Sequence, residues 1–358
     1  MGEITYRNRR AYRLENDSLQ VTVLLEGGHL AELRHKASAI NPLWTPPWPS
    51  IEPSVFHPER DKPAFGDHSE SKILAGIMGH NLCLDIFGGP SGEEAAAGLN
   101  VHGEASMVAY NIHIENEVLV ARARLPLAEI DLDRRIRLHG PVAVIEERVR
   151  SLCAFDRPIA WTQHVTLGPP FLEKGKTQFR TPATRSRVYE TDFAGEFGLM
   201  RPGSDFDWPH APLKRGGTTD LRAMPDADRS GGFTTHLMDT GRSQAYFLAW
   251  TPAHEVLAGY AWRREDFPWL GIWEENYSRP GPPWNGATLT RGLEFGVSPM
   301  PETRRQMVDR GTLFGVPAFR WLAAKSEIHV CYCAFVLSSS GIPEEVHWEG
   351  EDKLVFTP

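Results

Sequence analysis

Helical periodicity is nearly absent from this chain, and short alternating runs take its place. In Pro158-Ile-Ala-Trp-Thr-Gln-His-Val-Thr-Leu-Gly-Pro-Pro170, Trp161, Gln163, Val165 and Leu167 fall on one side of an extended backbone. Ala160, Thr162, His164 and Thr166 fall on the other. Comparable runs recur along the whole length, punctuated by 32 glycines and 28 prolines. The pattern predicts antiparallel β structure throughout. A hairpin is expected where the runs 12–15 and 19–25 flank Asn16-Asp17-Ser18, and a meander over 107–151. Further strands are expected at 234–237, 244–251, 255–263, 269–273, 288–295, 319–324, 327–337 and 353–356. One short helix is expected at 301–309, opening on Pro301. In the meander, Asp131, Asp133, Arg135 and Arg137 alternate with apolar residues and read as a solvent face.

With 358 residues, 41% of them hydrophobic, the chain can bury a large core. No repeat, low-complexity tract or linker divides it, so one domain over 1–358 is expected. A net charge of -8 and a pI near 6.0 argue against a nucleic-acid partner, which requires a basic face. Arg7, Arg9, Arg10 and Arg13 form a short basic cluster that reads as a solvated or partner-facing strand edge. Four irregularly spaced cysteines do not make a disulfide framework. Cys331 and Cys333 sit in an apolar run and read as buried thiols. There is no apolar leader and no run of ~18 apolar residues. A soluble, cytoplasmic monomer or homodimer without a membrane partner is therefore expected. Segment 41–69 contains Pro42, Pro46, Pro47, Pro49, Pro53, Pro58 and Pro63, which exclude a central strand or a long helix. It also carries Trp44, Trp48, Phe56, His57 and His68, and reads either as an apolar wrap over a sheet edge or as a functional lid.

Three stretches carry candidate chemistry. The apolar strand Trp269 to Trp273 ends in Glu274-Glu275-Asn276 and breaks into a loop rich in proline, glycine and aromatics that includes Trp284. A rigid strand that delivers a carboxylate to an aromatic pocket makes a good general base, whereas a bland sheet edge would simply solvate both glutamates. Alternation allows only one of the two to face a pocket. In the second stretch, His102-Gly103-Glu104 reads as a strand with His102 and Glu104 on one face and Gly103 permitting close approach. In the third, His164 lies on the less apolar side of its strand, and a His- and Thr-bearing face is unusual for plain core. Trp161, Trp273 and Trp284 offer the aromatic faces on which sugar C–H groups pack, and His80, His102, Glu104 and Asn276 offer polar contacts. A metal site from His57, His68 and His80 matches no zinc spacing.

Together these segments resemble the galactose mutarotase-like superfamily, the aldose 1-epimerases and their relatives. The likeness rests on Asn16-Asp-Ser-Leu-Gln-Val-Thr-Val-Leu-Leu-Glu-Gly-Gly-His-Leu-Ala-Glu-Leu33, on Val101-His-Gly-Glu-Ala105, on Trp161-Thr-Gln-His-Val-Thr-Leu-Gly168 and on Trp273-Glu-Glu-Asn276, in that order. It implies an all-β supersandwich of large twisted antiparallel sheets with few short helices. It implies further that His164 protonates a sugar ring oxygen, that His102 holds or polarises the sugar, and that Glu274 or Glu275 takes the proton of the anomeric hydroxyl. Ring opening, rotation and closure then exchange the anomers without metal or organic cofactor. The family's Glu precedes an amide side chain by two residues, which favours Glu274, two before Asn276. Two family features lack a counterpart: no arginine stands in Leu84-Asp-Ile-Phe-Gly-Gly89, and the sugar-binding aspartate has only Asp205, Asp207 and Asp239 as loose candidates. Two other readings stay open. One is a carbohydrate-binding protein without turnover. The other is a polysaccharide lyase or glycoside hydrolase on the same architecture, with Glu104 paired to Glu274 or Glu275, or with Asn276, Tyr277 and Arg279 as its polar groups.

Overall fold

The alternating runs pair as two large antiparallel sheets in the computed structural model, which describes residues 2–357. The chain runs through β1 (Gly2–Tyr6), β2 (Arg9–Glu15), β3 (Leu19–Leu24) and β4 (Leu30–His35) into helices α1 (Pro58–Phe65) and α2 (Ser71–Gly76). Then come β5 (His80–Asp85), α3 (Gly92–Ala96), β6 (Asn111–Glu115), β7 (Val118–Leu125), β8 (Ile130–His139), β9 (Val142–Ser151) and β10 (Arg157–Leu167). After a loop-rich stretch follow β11 (Ser230–Met238), β12 (Gln244–Thr251), β13 (Val256–Arg263), β14 (Trp269–Asn276), β15 (Leu289–Gly296), α4 (Arg304–Arg310) and β16 (Glu327–Ser338). The larger sheet runs β1-β2-β3-β4-β5-β10-β15-β14-β11, extended by short strands at 183–188 and 205–207. The smaller begins with the strand at 178–180 and runs β12-β13-β16-β9-β8-β7-β6.

The sheets pack face to face over one large core. Trp161, Val165, Leu270, Ile272, Leu293 and Phe295 of the larger sheet meet Ile145, Val149, Phe247, Tyr260, Trp262 and Tyr332 of the smaller. The Trp262 and Phe295 rings stack with centroids 4.2 Å apart. The other face of the larger sheet is covered as well. Trp44, Ile73, Leu74 and Ile77 from the 41–78 segment, with Trp284, Met300 and Met307, lie over Phe233, Trp269 and Trp273. Hence β10, β14 and β15 are buried on both faces for most of their length.

Several expectations are corrected. The 41–69 segment is not all loop: Pro58 opens α1 and Pro63 lies inside it, in an eight-residue helix too short to need every amide. Residues 99–105 are turns rather than a strand, with His102 at φ 67° and Gly103 at φ 80°. A Cβ on Gly103 would collide with the Leu84 carbonyl, so the turn hugs β5 as only glycine permits. Arg9 is not solvated. Its guanidinium is buried against Glu52 (2.6 Å) and donates to Ser50 Oγ, the Gly76 carbonyl and the Glu26 carbonyl, so it fastens the 41–78 segment to β2. The meander's charges pair across strands at the surface, as in Arg122–Asp133 and Arg124–Asp131. The four cysteines are free; Cys333 is buried and Cys331 half-buried. No helix among the described residues is long and apolar enough to cross a membrane.

The inter-sheet core contains a polar network. Glu147 accepts from Arg134 Nε (2.8 Å), Gln163 Nε2 (2.7 Å), Trp161 Nε1 (3.1 Å) and the Tyr332 hydroxyl (2.9 Å). Gln163 Oε1 lies 2.9 Å from His80 Nε2, and the Tyr260 hydroxyl reaches His80 Nδ1 at 3.2 Å. Burial, reinforced by the Arg134 charge, lowers His80 to about 3, so it stays neutral. Removing one partner of a buried pair leaves the other charge uncompensated. Glu147→Gln is expected to lower unfolding free energy by about 3–5 kcal/mol, measured by urea denaturation. A loss below about 1 kcal/mol would show that Arg134 finds another counter-charge or water.

Candidate active site

Strand parity decides which residues reach the covered face of the larger sheet. His164 of β10 pairs with Glu294 of β15, and opposed residues share a face. On that face β10 carries Ala160, Thr162, His164 and Thr166, and β15 carries Thr290, Gly292, Glu294 and Gly296. β14 contributes Trp269, Gly271, Trp273 and Glu275, since Gly271 stands opposite Glu294. Against this patch lies a cavity of about 160 Å³.

Its polar focus is His164, Glu294 and His102. His164 Nε2 lies 3.1 Å from Glu294 Oε1, off the line of a fully formed hydrogen bond, so Oε1 retains acceptor capacity. His164 Nδ1 is 3.1 Å from Thr166 Oγ1. Burial lowers the histidine's pKa well below the usual value, helped by His102 alongside it, and burial raises the Glu294 carboxyl well above the ordinary range. Burial thus favours the neutral form of each group. His102 packs edge-on to His164, with ring centroids 5.1 Å apart. Its Nδ1 is 2.5 Å from the Phe87 carbonyl. A carbonyl can only accept, so Nδ1 carries the proton and Nε2 keeps its lone pair. Burial lowers this histidine as well. The left-handed φ of His102 is an uncommon conformation for a residue with a side chain, of the kind concentrated at functional sites.

The walls are aromatic and aliphatic. Phe87, Phe233, Trp273 and Trp284 line the cavity, facing Ile73, Leu74 and Ile77 of the α2 region. Trp284 stacks on Trp44 (5.9 Å, 6° between planes) and meets Trp48 edge-on at 5.0 Å, which ties the loop after β14 to the 41–78 segment. Trp273 is buried, and its indole N–H has no acceptor. A buried donor without an acceptor is unusual.

Of the residues singled out from sequence, His164, His102, Trp273, Trp284 and Arg279 line this cavity. The others do not. Glu274 turns into the inter-sheet core, where it stands opposite Arg291 and pairs with it at 3.2 Å. Glu275 shares the parity of Trp273 but sits at the strand end and accepts from the amides of Ser278 (2.6 Å) and Arg279 (3.1 Å) and from Ser278 Oγ (2.7 Å). Asn276 faces the core side and donates to the Ala227 carbonyl and Ser230 Oγ. Glu104 accepts the amides of Leu127 and Ala128, which removes it as a partner carboxylate for either glutamate. His80 and Trp161 belong to the inter-sheet network. Asp205 and Asp239 pair with Arg187 and Arg242, and neither they nor Asp207 line the cavity. Among the described residues no group of three or more His, Cys, Asp or Glu side chains is arranged to hold a metal ion. Sequence reading missed Glu294. Its signal was a lone acid on the glycine-rich side of an alternating strand.

Solved structures with this architecture were found, whereas no protein-family model and no curated protein sequence matches the chain. A proposed aldose 1-epimerase from Klebsiella pneumoniae superposes with a TM-score of 0.64 at 13% identity, over 93% of this chain and 80% of that one. The Slr1438 protein from Synechocystis sp. PCC 6803 gives 0.61 at 16% identity, over 95% and 100%. A galactose mutarotase related enzyme from Lactobacillus acidophilus gives 0.59 at 13%, over 92% and 98%. The fold is that of the galactose mutarotase-like proteins.

Glycine at 292 keeps space for the acid: a Cβ there would overlap Glu294 Oε1. Gly292→Ala is expected to fold with about 1–3 kcal/mol less stability and to push the carboxylate off His164. A crystal structure of the variant with the His164–Glu294 contact intact would contradict this.

Proposed function

We propose that the protein is an aldose 1-epimerase-like enzyme that interconverts the anomers of a sugar or sugar derivative, with His164 and Glu294 as its acid–base pair. The observation that carries the reading is the contact between these two side chains, both desolvated, at the floor of an aromatic-walled cavity. Opening a pyranose ring removes a proton from the anomeric hydroxyl and delivers one to the ring oxygen. Both oxygens are bonded to C1, so acid and base must stand side by side. With the shared proton on His164, Nε2–H serves the ring oxygen while Glu294 accepts from the anomeric hydroxyl; closure reverses both transfers. The pair has no net charge in either proton arrangement, so the transfer suits a dry site. His102 Nε2 accepts a sugar hydroxyl, and the Trp273 N–H donates to another oxygen. Glu294 thereby takes the role that the sequence resemblance gave to Glu274 or Glu275. The fold likeness supports the reading as architecture only.

The test is anomeric exchange by nuclear magnetic resonance over a panel of aldoses, with wild type, His164→Ala and Glu294→Gln. Exchange faster than the uncatalysed rate is expected for at least one sugar. Each substitution should lower it by about 10²–10⁴-fold, and the double variant should be little worse than either single one, because the pair acts as a unit. Activity requires one proton on the pair. A lowered His164 means that the second proton is gained only well below pH 6.5. A raised Glu294 means that the single proton is lost only well above the usual carboxyl range. The rate should therefore fall on an acid limb well below pH 6.5 and on an alkaline limb above the usual carboxyl range. Binding shifts without exchange would reduce the protein to a carbohydrate-binding one. An absence of both would sink the sugar reading.

A further inference from the structure

The cavity has one permanently cationic side chain in its lining, and that cation is already engaged. Arg279 Nη1 lies 3.1 Å from Glu70 Oε2, and Nε lies 3.5 Å from Glu275 Oε2. Its guanidinium sits over the Trp284 ring at 4.8 Å, with Trp273 and Phe193 each 5.7 Å away. Glu275 is held in place by the amides of Ser278 and Arg279, so it is a fixed counter-charge. Glu70 is different. It stands just before α2 and opens the stripe Glu70, Ile73, Leu74, Ile77, which a helical turn sets on one side and which lines the cavity. On this otherwise aliphatic stripe the Glu70 carboxylate, at the N-cap of α2, has Arg279 as its ion-pair partner.

We propose that Glu70 is a specificity-determining residue: by occupying Arg279 it makes the cavity accept uncharged sugars and turn away sugars that carry a phosphate or carboxylate. The inference rests on the sugar-binding part of the reading above. Two carboxylates face one guanidinium, and Glu294 adds a third acid to the same cavity. An entering anion must either displace Glu70 or stand beside Glu70 and Glu275 without a free counter-charge, and like charges at close range repel. A neutral hydroxyl needs only a donor. Nη2 of Arg279 supplies one, since it has no carboxylate partner among the described residues. Selectivity of this kind works by penalising the wrong ligand rather than by adding contacts to the right one.

Matched titrations test it: galactose, galactose 6-phosphate and galacturonate, and the three glucose counterparts, followed by quenching of tryptophan fluorescence, since Trp273 and Trp284 line the cavity. Wild type should bind a neutral sugar about tenfold or more tighter than its anionic partners. Glu70→Gln should shift that ratio toward the anions by about tenfold or more. Adding Arg279→Gln to Glu70→Gln should abolish the shift, which a merely structural role for Glu70 would not produce. Wild-type preference for an anion, an unchanged ratio in Glu70→Gln, or no binding of any of the six sugars would each overturn the proposal. Selective binding without anomeric exchange would remove the epimerase reading and leave this one standing. Exchange with a sugar phosphate as fast as with its neutral parent would do the reverse.

Discussion

Burial of the larger sheet on both faces is the constraint from which the site follows. One face packs on the smaller sheet; the other lies under the 41–78 segment and the loop after β14. The cover is held by the Arg9–Glu52 ion pair at one end and by the Trp44, Trp48 and Trp284 rings at the other. Without it, His164 and Glu294 would stand in water with ordinary proton affinities. Beneath it, desolvation pushes the histidine down and the carboxyl up, which favours the neutral form of each. The proline-rich 41–69 segment stands behind the wall: Trp44 and Trp48 back Trp284, while Ile73, Leu74 and Ile77 of the α2 region line the cavity.

Burial on both faces also explains what the sequence disclosed and what it concealed. The alternation located most strands of the two large sheets, though not β1 or the short strands at 178–180, 183–188 and 205–207, and it put His164 on the side of β10 away from Gln163 and the inter-sheet core. The same logic could not choose among glutamates. Around Trp273 both faces of β14 are apolar, so alternation shows two cores and no solvent, and Glu274 looks as available as any other acid. Its partner Arg291 comes from a different strand, and only the β14–β15 register reveals the pair. Glu294 was legible in principle, since Thr290, Gly292 and Gly296 leave its side of β15 nearly bare. Small residues there vacate the volume that the carboxyl and the cavity in front of it occupy. The turn around His102 was hidden for a simpler reason: a left-handed histidine has no sequence mark beyond the glycine after it.

The two faces of β10 divide the work. Gln163, one residue from His164, is held by Glu147 on one side and faces His80 on the other, within a network whose ionic centre is Arg134–Glu147. Such a network contributes little net stability against an apolar core, yet it admits a single arrangement of its members. The strand that carries His164 is therefore anchored from behind, while the side in front of it is left with an orphan indole N–H, a spare Oε1 and the lone pair of His102. Rigidity on one face and unsatisfied polar groups on the other are what a preorganised site requires.

Charge selection and acid–base chemistry then become one problem. A fixed anion brought close to Glu294 in a water-poor cavity would raise the carboxyl's proton affinity further, because like charges interact strongly where screening is weak. Burial already favours the proton on Glu294, and an added anion would hold it there more firmly, so the base and the imidazolium needed for transfer would form less readily. A ligand without charge leaves the proton free to move between the two groups. Keeping Arg279 occupied by Glu70 therefore protects the proton balance of the His164–Glu294 pair as well as selecting what enters, so the aromatic wall and the acidic residue on α2's aliphatic stripe serve the same end.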